Sequence, residues 1–184
     1  MLFNKGDKIN NYTVAFQLKK GSYAEDYRVK NEVGKTLFLK LINYSHLNRN
    51  QIDDNGHVIE IEIAKRLNHH NLCKYVDSGS IMINGGQCSY IATEYVSSET
   101  LSQKIIRDRE LSVYEIKVIA KSVLSALQYL HSQTIPVIHN EVTMQNVLFN
   151  LVGGFEDLKL IDFGHARLLN QSPAKPNLNE LNVF

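Results

Sequence analysis

Only two of the 184 residues are cysteine, Cys73 and Cys88. Two cysteines cannot staple a fold, so a disulfide framework is excluded and a reducing, cytoplasmic setting is expected. They also lack the paired spacing of a metal site. Charge of one sign is missing as well: 20 Lys and Arg stand against 19 Asp and Glu, a formal net charge of +1. That balance excludes a protein that holds nucleic acid through bulk electrostatics. No apolar run approaches the ~20 residues of a membrane span. Residues 1–8 hold no hydrophobic signal segment. Internal repeats and low-complexity stretches are absent. What is present is ordinary, with 43% hydrophobic and 21% charged residues. A chain of this kind buries a core and does not stay disordered. We therefore expect no nucleic-acid and no membrane partner.

The order of elements says more than the composition. Residues 12–18 alternate and predict a strand, 19–23 a turn, 25–30 a second strand and 36–42 a third, mostly apolar one. The polar turn Asn31-Glu32-Val33-Gly34 joins the last two. Connections this short allow only an antiparallel meander. Ile59, Ile63, Arg66 and Leu67 then recur at helical spacing on one face, and Asn68-His69-His70-Asn71 ends the helix. Residues 72–76, 80–83 and 88–96 predict further strands around a Gly85-Gly86 turn. The connector Ser97-Ser98-Glu99 marks the expected boundary between a strand-rich lobe, residues 1–96, and a helical one, residues 97–184. A short helix over 101–109 precedes a long one opened by Ser112, with the stripe Ile116, Ile119, Val123, Leu127 and Leu130. Short strands are predicted at 137–138, 147–149 and 158–161.

Three separated features carry chemistry. Lys40 stands alone in an apolar strand, where by itself it reads as an edge lysine that snorkels to water. Glu60, on the following helix, reads by itself as a solvated face residue. Together, a strand lysine and a helix glutamate can hold an ammonium against nucleotide phosphates. The third feature is His139-Asn140-Glu141-Val142-Thr143-Met144-Gln145-Asn146, followed by Asp162-Phe163-Gly164. In this order the sequence resembles the eukaryotic-type protein kinase family, whose catalytic loop H-R-D-x-x-x-x-N precedes D-F-G. Phe38-Leu39-Lys40 stands where V-A-I-K would, residues 61–72 look like the end of the C helix, and Thr93-Glu94-Tyr95-Val96 looks like the gatekeeper and hinge.

The resemblance spans residues 12–164, roughly, and implies an α+β, two-lobe fold. A five-stranded antiparallel N-lobe sheet with its C helix would sit on an incomplete helical C-lobe. ATP and Mg²⁺ are the implied cofactors, and transfer of the γ-phosphate to Ser/Thr hydroxyls of a protein substrate is the implied reaction. Lys40, held by Glu60, would neutralise the α- and β-phosphates, and Asp162 with Asn146 would hold the metal. Glu141 would orient the acceptor hydroxyl. The backbone of Glu94 and Val96 would meet the adenine edge, with Thr93 setting the depth of the pocket. Gly21 and Ala24 would belong to the loop over the phosphates.

Several positions depart from the family pattern. In the phosphate loop only Gly21 is kept, Lys19 and Ala24 replace glycines, and Asp26 stands where a valine would pack on adenine. A carboxylate is unfavourable against an apolar ring. Tyr23, at the tip, would cap the nucleotide. The catalytic Asp is Glu141, the motif Arg is Asn140, and Thr143 replaces the Ser/Thr-kinase lysine. Loss of that lysine removes a charge on the transferring phosphate. The chain stops where an A-P-E motif would follow, so a fragment of a longer protein is expected. Apolar residues left open, with Leu168, Leu169, Leu178 and Leu181 among them, would then promote self-association or draw the segment after Gly164 back over the gap. Two other readings compete: a pseudokinase that binds nucleotide or a regulatory partner without phosphotransfer, and a small-molecule phosphotransferase.

Overall fold

Short polar turns between apolar runs make the N-terminal sheet. The structure, a computed structural model, describes residues 2–150 and 154–169. Six strands pair in the order β1-β2-β3-β4-β6-β5, every neighbour antiparallel. They are β1 (Lys8–Ile9), β2 (Tyr12–Lys20), β3 (Ala24–Lys30), β4 (Thr36–Asn43), β5 (Tyr75–Ile83) and β6 (Gly86–Glu94). The expected five strands are present and β1 is a sixth, too short to leave an alternation in the sequence. β5 runs unbroken through the polar stretch at Asp77, Ser78 and Gly79 that divided it in the sequence pattern. Its polar groups are satisfied, because the Asp77 carboxylate accepts from the hydroxyls of Tyr12 at 2.8 Å and Tyr90 at 3.3 Å. A Cβ on Gly79 would lie 2.7 Å from the Tyr90 hydroxyl, so the glycine makes room for that ring.

Strand periodicity divides the sheet into two faces. Leu37, Leu39 and Leu41 of β4 join Tyr27, Val29, Val14 and Ile9 in one core. The alternate residues of β4, Lys40 and Ile42, turn the other way, where Ile42 packs on Ile61 and Ala64 of α1 (Ile59–Ala64). α1 is shorter than its pattern. Arg66 and Leu67 continue only as single turns, their N–H groups donating to Ile63 O at 3.0 Å and Ala64 O at 3.2 Å. Leu67 stays buried, but Arg66 is exposed and leaves the predicted face. The helix is shared between cores: Ile61 and Ala64 face the sheet, while Ile59 and Ile63 reach the core beneath it.

That second core belongs to the helical half. The expected polar connector is a strand, β7 (Ser98–Thr100), which pairs with β9 (Val147–Asn150), itself paired with β10 (Gly154–Leu160). Between them run α2 (Leu101–Asp108), α3 (Val113–His131) and β8 (Val137–Ile138). Both helices open on reciprocal capping boxes, Thr100 with Gln103 and Ser112 with Glu115, which satisfy N–H groups that the first turn leaves unpaired. Arg109, at φ 64°, closes α2. Of the predicted stripe on α3, Leu130 is fully buried and Ile119, Val123 and Leu127 pack at the core margin. Ile116 does not follow them; it is 52% exposed, in company with Val113, Tyr114 and Leu124. Past Gly164 a further strand, β11 (Arg167–Leu168), pairs with β8. Leu168 packs against the core and Leu169 is exposed, while Leu178 and Leu181 lie outside the described residues. Among the described residues, no helix is long and apolar enough to cross a membrane.

Candidate active site

Lys40 reaches the site because its face of β4 looks onto α1, not into the leucine core. Its Nζ lies 2.8 and 3.0 Å from the two Glu60 carboxylate oxygens, and 2.9 Å from Asp162 Oδ1. Glu60, in the first turn of α1, and Lys40 are both 8% exposed. Burial alone would lower the lysine's pKa. The Glu60 and Asp162 carboxylates outweigh it and hold Lys40 charged well above its ordinary range. Burial pushes Glu60 up, with the Lys40 ammonium opposing the rise. For Asp162 burial also acts upward. The Lys40 ammonium and a hydrogen bond from Gly164 N at 3.1 Å overcome it and keep the carboxyl below the usual range. Asp162 stays ionised and sits at φ 68°, a left-handed conformation uncommon for a residue with a side chain.

The phosphate-loop stretch is the β2–β3 turn. Gly21 N donates to Ala24 O at 2.8 Å and closes the turn, while Asn43 N donates to Tyr23 O at 3.0 Å and ties its tip to β4. Tyr23 turns inward. Its hydroxyl is 3.2 Å from Lys40 Nζ, and the ammonium lies 5.2 Å from the ring centroid. Burial raises its phenol to about 12. The β3–β4 register sets Asp26 directly across from Lys40, and on its other side from Lys19 of β2. Burial, with the Asp162 and Glu60 carboxylates adding to it against Lys40, pushes Asp26 up to about 6.

The catalytic-loop residues hang from β8 and are stitched to the segment after β10. His139 is fully buried, faces Ile161 O with Nε2 at 3.1 Å and accepts from Glu141 N at Nδ1. Phe163 lies against it, the rings 5.1 Å apart. Burial lowers the pKa of His139, which suits a neutral packing residue. Asn140, at φ 64°, donates through Nδ2 to His165 O at 3.0 Å. Asn146 donates through Nδ2 to Glu141 O at 2.9 Å, and Ile161 N donates to Asn146 O at 2.9 Å. With its amide nitrogen engaged, Asn146 offers its oxygen to a ligand. The Glu141 carboxylate is 40% exposed, with His165 Nε2 at 4.0 Å.

At the other edge, Thr93 and Glu94 end β6 and Val96 follows it. Glu94 N donates to Lys74 O at 2.9 Å, Thr93 Oγ1 donates to Glu94 O at 3.3 Å, and Ser98 Oγ donates to Val96 O at 3.1 Å. The Glu94 carboxylate turns to β10, 3.5 Å from Lys159 Nζ.

Lys40, Glu60 and Asp162 thus meet directly, and Glu141 and Asn146 are bound to each other within the same loop. Gly21, Ala24, Thr93, Glu94 and Val96 occupy the strand ends and turns around them. Sequence reasoning missed the inward turn of Tyr23 and the position of Asp26 beside Lys40. The second was within reach, since hairpin register alone places Asp26 opposite Lys40. It also missed Asn71 and Lys159, which bind the backbone on either side of the site, Asn71 Nδ2 to Leu158 O at 2.9 Å and Lys159 Nζ to His70 O at 2.6 Å.

A model of the protein kinase domain family matches residues 12–182. The chain is 31% identical over 156 residues to the probable serine/threonine-protein kinase nek3 of Dictyostelium discoideum, covering 82% of this chain and 13% of that protein. It is 30% identical over 165 residues to the serine/threonine-protein kinase TIO of Arabidopsis thaliana, with 88% of this chain and 11% of that protein covered. The serine/threonine-protein kinase WNK4 of Homo sapiens is 31% identical over 116 residues, 63% of this chain and 9% of that protein. The chain therefore spans only about a tenth of the length of these relatives.

Proposed function

The chain belongs to the protein kinase domain family, and from that premise we propose that it binds Mg·ATP beneath β3 and β4 and passes the γ-phosphate to a Ser/Thr hydroxyl of a protein. The observation that carries this reading is the buried Lys40–Glu60 ion pair with the Asp162 carboxylate 2.9 Å from the same ammonium. An interior lysine and two acids need a reason to be buried together, because desolvating them is costly. A nucleotide triphosphate supplies one.

The donor set fits the metal: one ionised carboxylate, Asp162, and one amide oxygen, Asn146, are hard oxygen ligands suited to Mg²⁺, which keeps waters and phosphate oxygens for its remaining positions. Bound Mg²⁺ supplies charge neutralisation on the phosphates. The chain's own residues do the rest. Lys40, aimed by Glu60, meets phosphate oxygens, and the backbone of Glu94 and Val96 meets the base, with Thr93 behind it. Glu141, held through its carbonyl by Asn146, accepts the hydrogen bond of the acceptor hydroxyl and aims its oxygen. Positioning and electrostatics are most of what phosphoryl transfer requires. A lobe boundary at residues 96–97 and a cytoplasmic location belong to the same proposal.

One second reading has specific support. Asp26 and Tyr23 crowd Lys40, and Thr143 leaves the acceptor side without a lysine, features that suit a pseudokinase. Thermal melting with Mg·ATP tests the first step. At 100 times Kd a nucleotide stabilises by about 2.7 kcal/mol, or about 5–10 °C for a chain of this size. The metal-dependent part is expected to vanish in Asp162→Ala. Transfer to a protein substrate, lost in Glu141→Gln while binding persists, separates the kinase from the pseudokinase.

A further inference from the structure

Lys40 Nζ has three N–H donors, and four acceptor atoms surround it. Two Glu60 oxygens lie at 2.8 and 3.0 Å, Asp162 Oδ1 at 2.9 Å and Tyr23 Oη at 3.2 Å. The two Glu60 oxygens and Asp162 Oδ1 already match those donors, so Tyr23 Oη is a fourth acceptor crowded onto the ammonium, in the space a phosphate oxygen would have to enter. Glu60 grips twice from a buried helix and cannot be the one to yield. Tyr23 can, for it comes from an exposed turn whose Gly21 and Ser22 are open to water. Its hydroxyl also rests on the D-F-G backbone: a Cβ built on Gly164 would collide with Tyr23 Oη. The ring therefore bridges the lysine and the glycine beside Asp162, between the groups assigned to the phosphates and the metal. Its carbonyl is fixed to Asn43 N at 3.0 Å. Clearing the space takes a rotation about the side-chain bonds with the turn left in place.

We propose that Tyr23 is a built-in occupant of the phosphate position, an autoinhibitory side chain that competes with the nucleotide for Lys40. The proposal rests on the nucleotide reading above for the identity of the competitor. A site blocked in most molecules binds with an affinity reduced by the open fraction, so removing the block tightens binding without adding a contact.

The test measures Mg·ATP affinity at fixed Mg²⁺ for the unaltered chain, Tyr23→Ala and Tyr23→Phe, together with the acylation rate of Lys40 in the absence of nucleotide, read by peptide mass. Tyr23→Ala is expected to bind at least about tenfold tighter and to acylate faster at Lys40. Tyr23→Phe, which keeps the ring and so the packing, controls for folding and is expected to fall between. Equal or weaker binding by Tyr23→Ala, with an unchanged Lys40 rate, overturns the proposal. Faster acylation of Lys40 in Tyr23→Ala with no Mg·ATP binding by either protein keeps Tyr23 as the cover of the lysine and overturns the nucleotide reading.

Discussion

Replacing Asp26 by Asn removes one charge and almost no volume, and the structure gives the size and pH dependence of the result. Asp26 faces Lys40 across the β3–β4 ladder, yet Lys40 is already claimed by Glu60 and Asp162. Burial and those two carboxylates push Asp26 from 3.8 to about 6. A rise of about two units corresponds to about 3 kcal/mol, reduced toward 1 kcal/mol by water at the partly exposed carboxylate. Because the folded state raises this acid, the folded chain holds the proton more tightly than the unfolded one between pH ~4 and ~6. Asp26 costs nothing below that window, costs more as pH climbs through it, and costs its full amount above it. Asp26→Asn is therefore expected to match the unaltered chain near pH 4 and to be more stable at pH 7 by about 1–3 kcal/mol, or roughly 3–10 °C. Thermal or urea unfolding from pH 4 to 8, with nucleotide absent, measures it. Parallel stability curves for the two proteins would show that Asp26 reaches water freely and that the crowding at Lys40 is not electrostatic.

Glu60→Gln leaves Lys40 with half of its anchoring charge; nucleotide-dependent stabilisation should fall sharply while the fold persists, as circular dichroism and melting would report. Leu130→Ala, at a fully buried position between α3 and β10, should cost about 2–5 kcal/mol in urea unfolding, whereas Ile116→Ala, half exposed on the same helix, should cost under about 0.5 kcal/mol. The exposed Val113, Tyr114, Ile116 and Leu124 should draw copies of this chain together at micromolar concentration, a state that sedimentation detects and Leu124→Glu disperses.

Legibility in the sequence followed the physics of each element. Alternation and short turns announced the meander of β2, β3 and β4, because an antiparallel strand with one wet face must alternate. Ser112 marked the start of α3, where it closes a capping box with Glu115. β1 and β11, two residues each, escaped because they carry no period; partners elsewhere in the chain make them strands. Arg66 and Ile116 fitted a helical stripe but not the core: α1 stops at Ala64, and the first turns of α3 carry the exposed Val113, Tyr114 and Ile116. Lys40, Glu60 and Asp162 could be named because the order of elements resembles the kinase family, which assigns all three; by themselves Lys40 and Glu60 read as surface residues. The orientation of Tyr23 belongs to no motif. It depends on which side of a turn the ring falls, and that is settled by Lys40 and Gly164, distant in sequence.

The bridge between Leu72 and Leu160 has a mechanical consequence. Leu160 N donates to Asn71 O at 2.8 Å, Asn71 Nδ2 returns a bond to Leu158 O at 2.9 Å, and Lys159 Nζ caps His70 O at 2.6 Å. These bonds rivet β10, which ends two residues before Asp162, to the segment that leaves α1. The rivet lies two residues from Asp162 in the chain, so the sheet cannot lift away from the lower half there. Any rotation of the sheet over the lower half would turn about this bridge. A rotation about that bridge would leave the end of β10, and with it the chain leading to Asp162, nearly still.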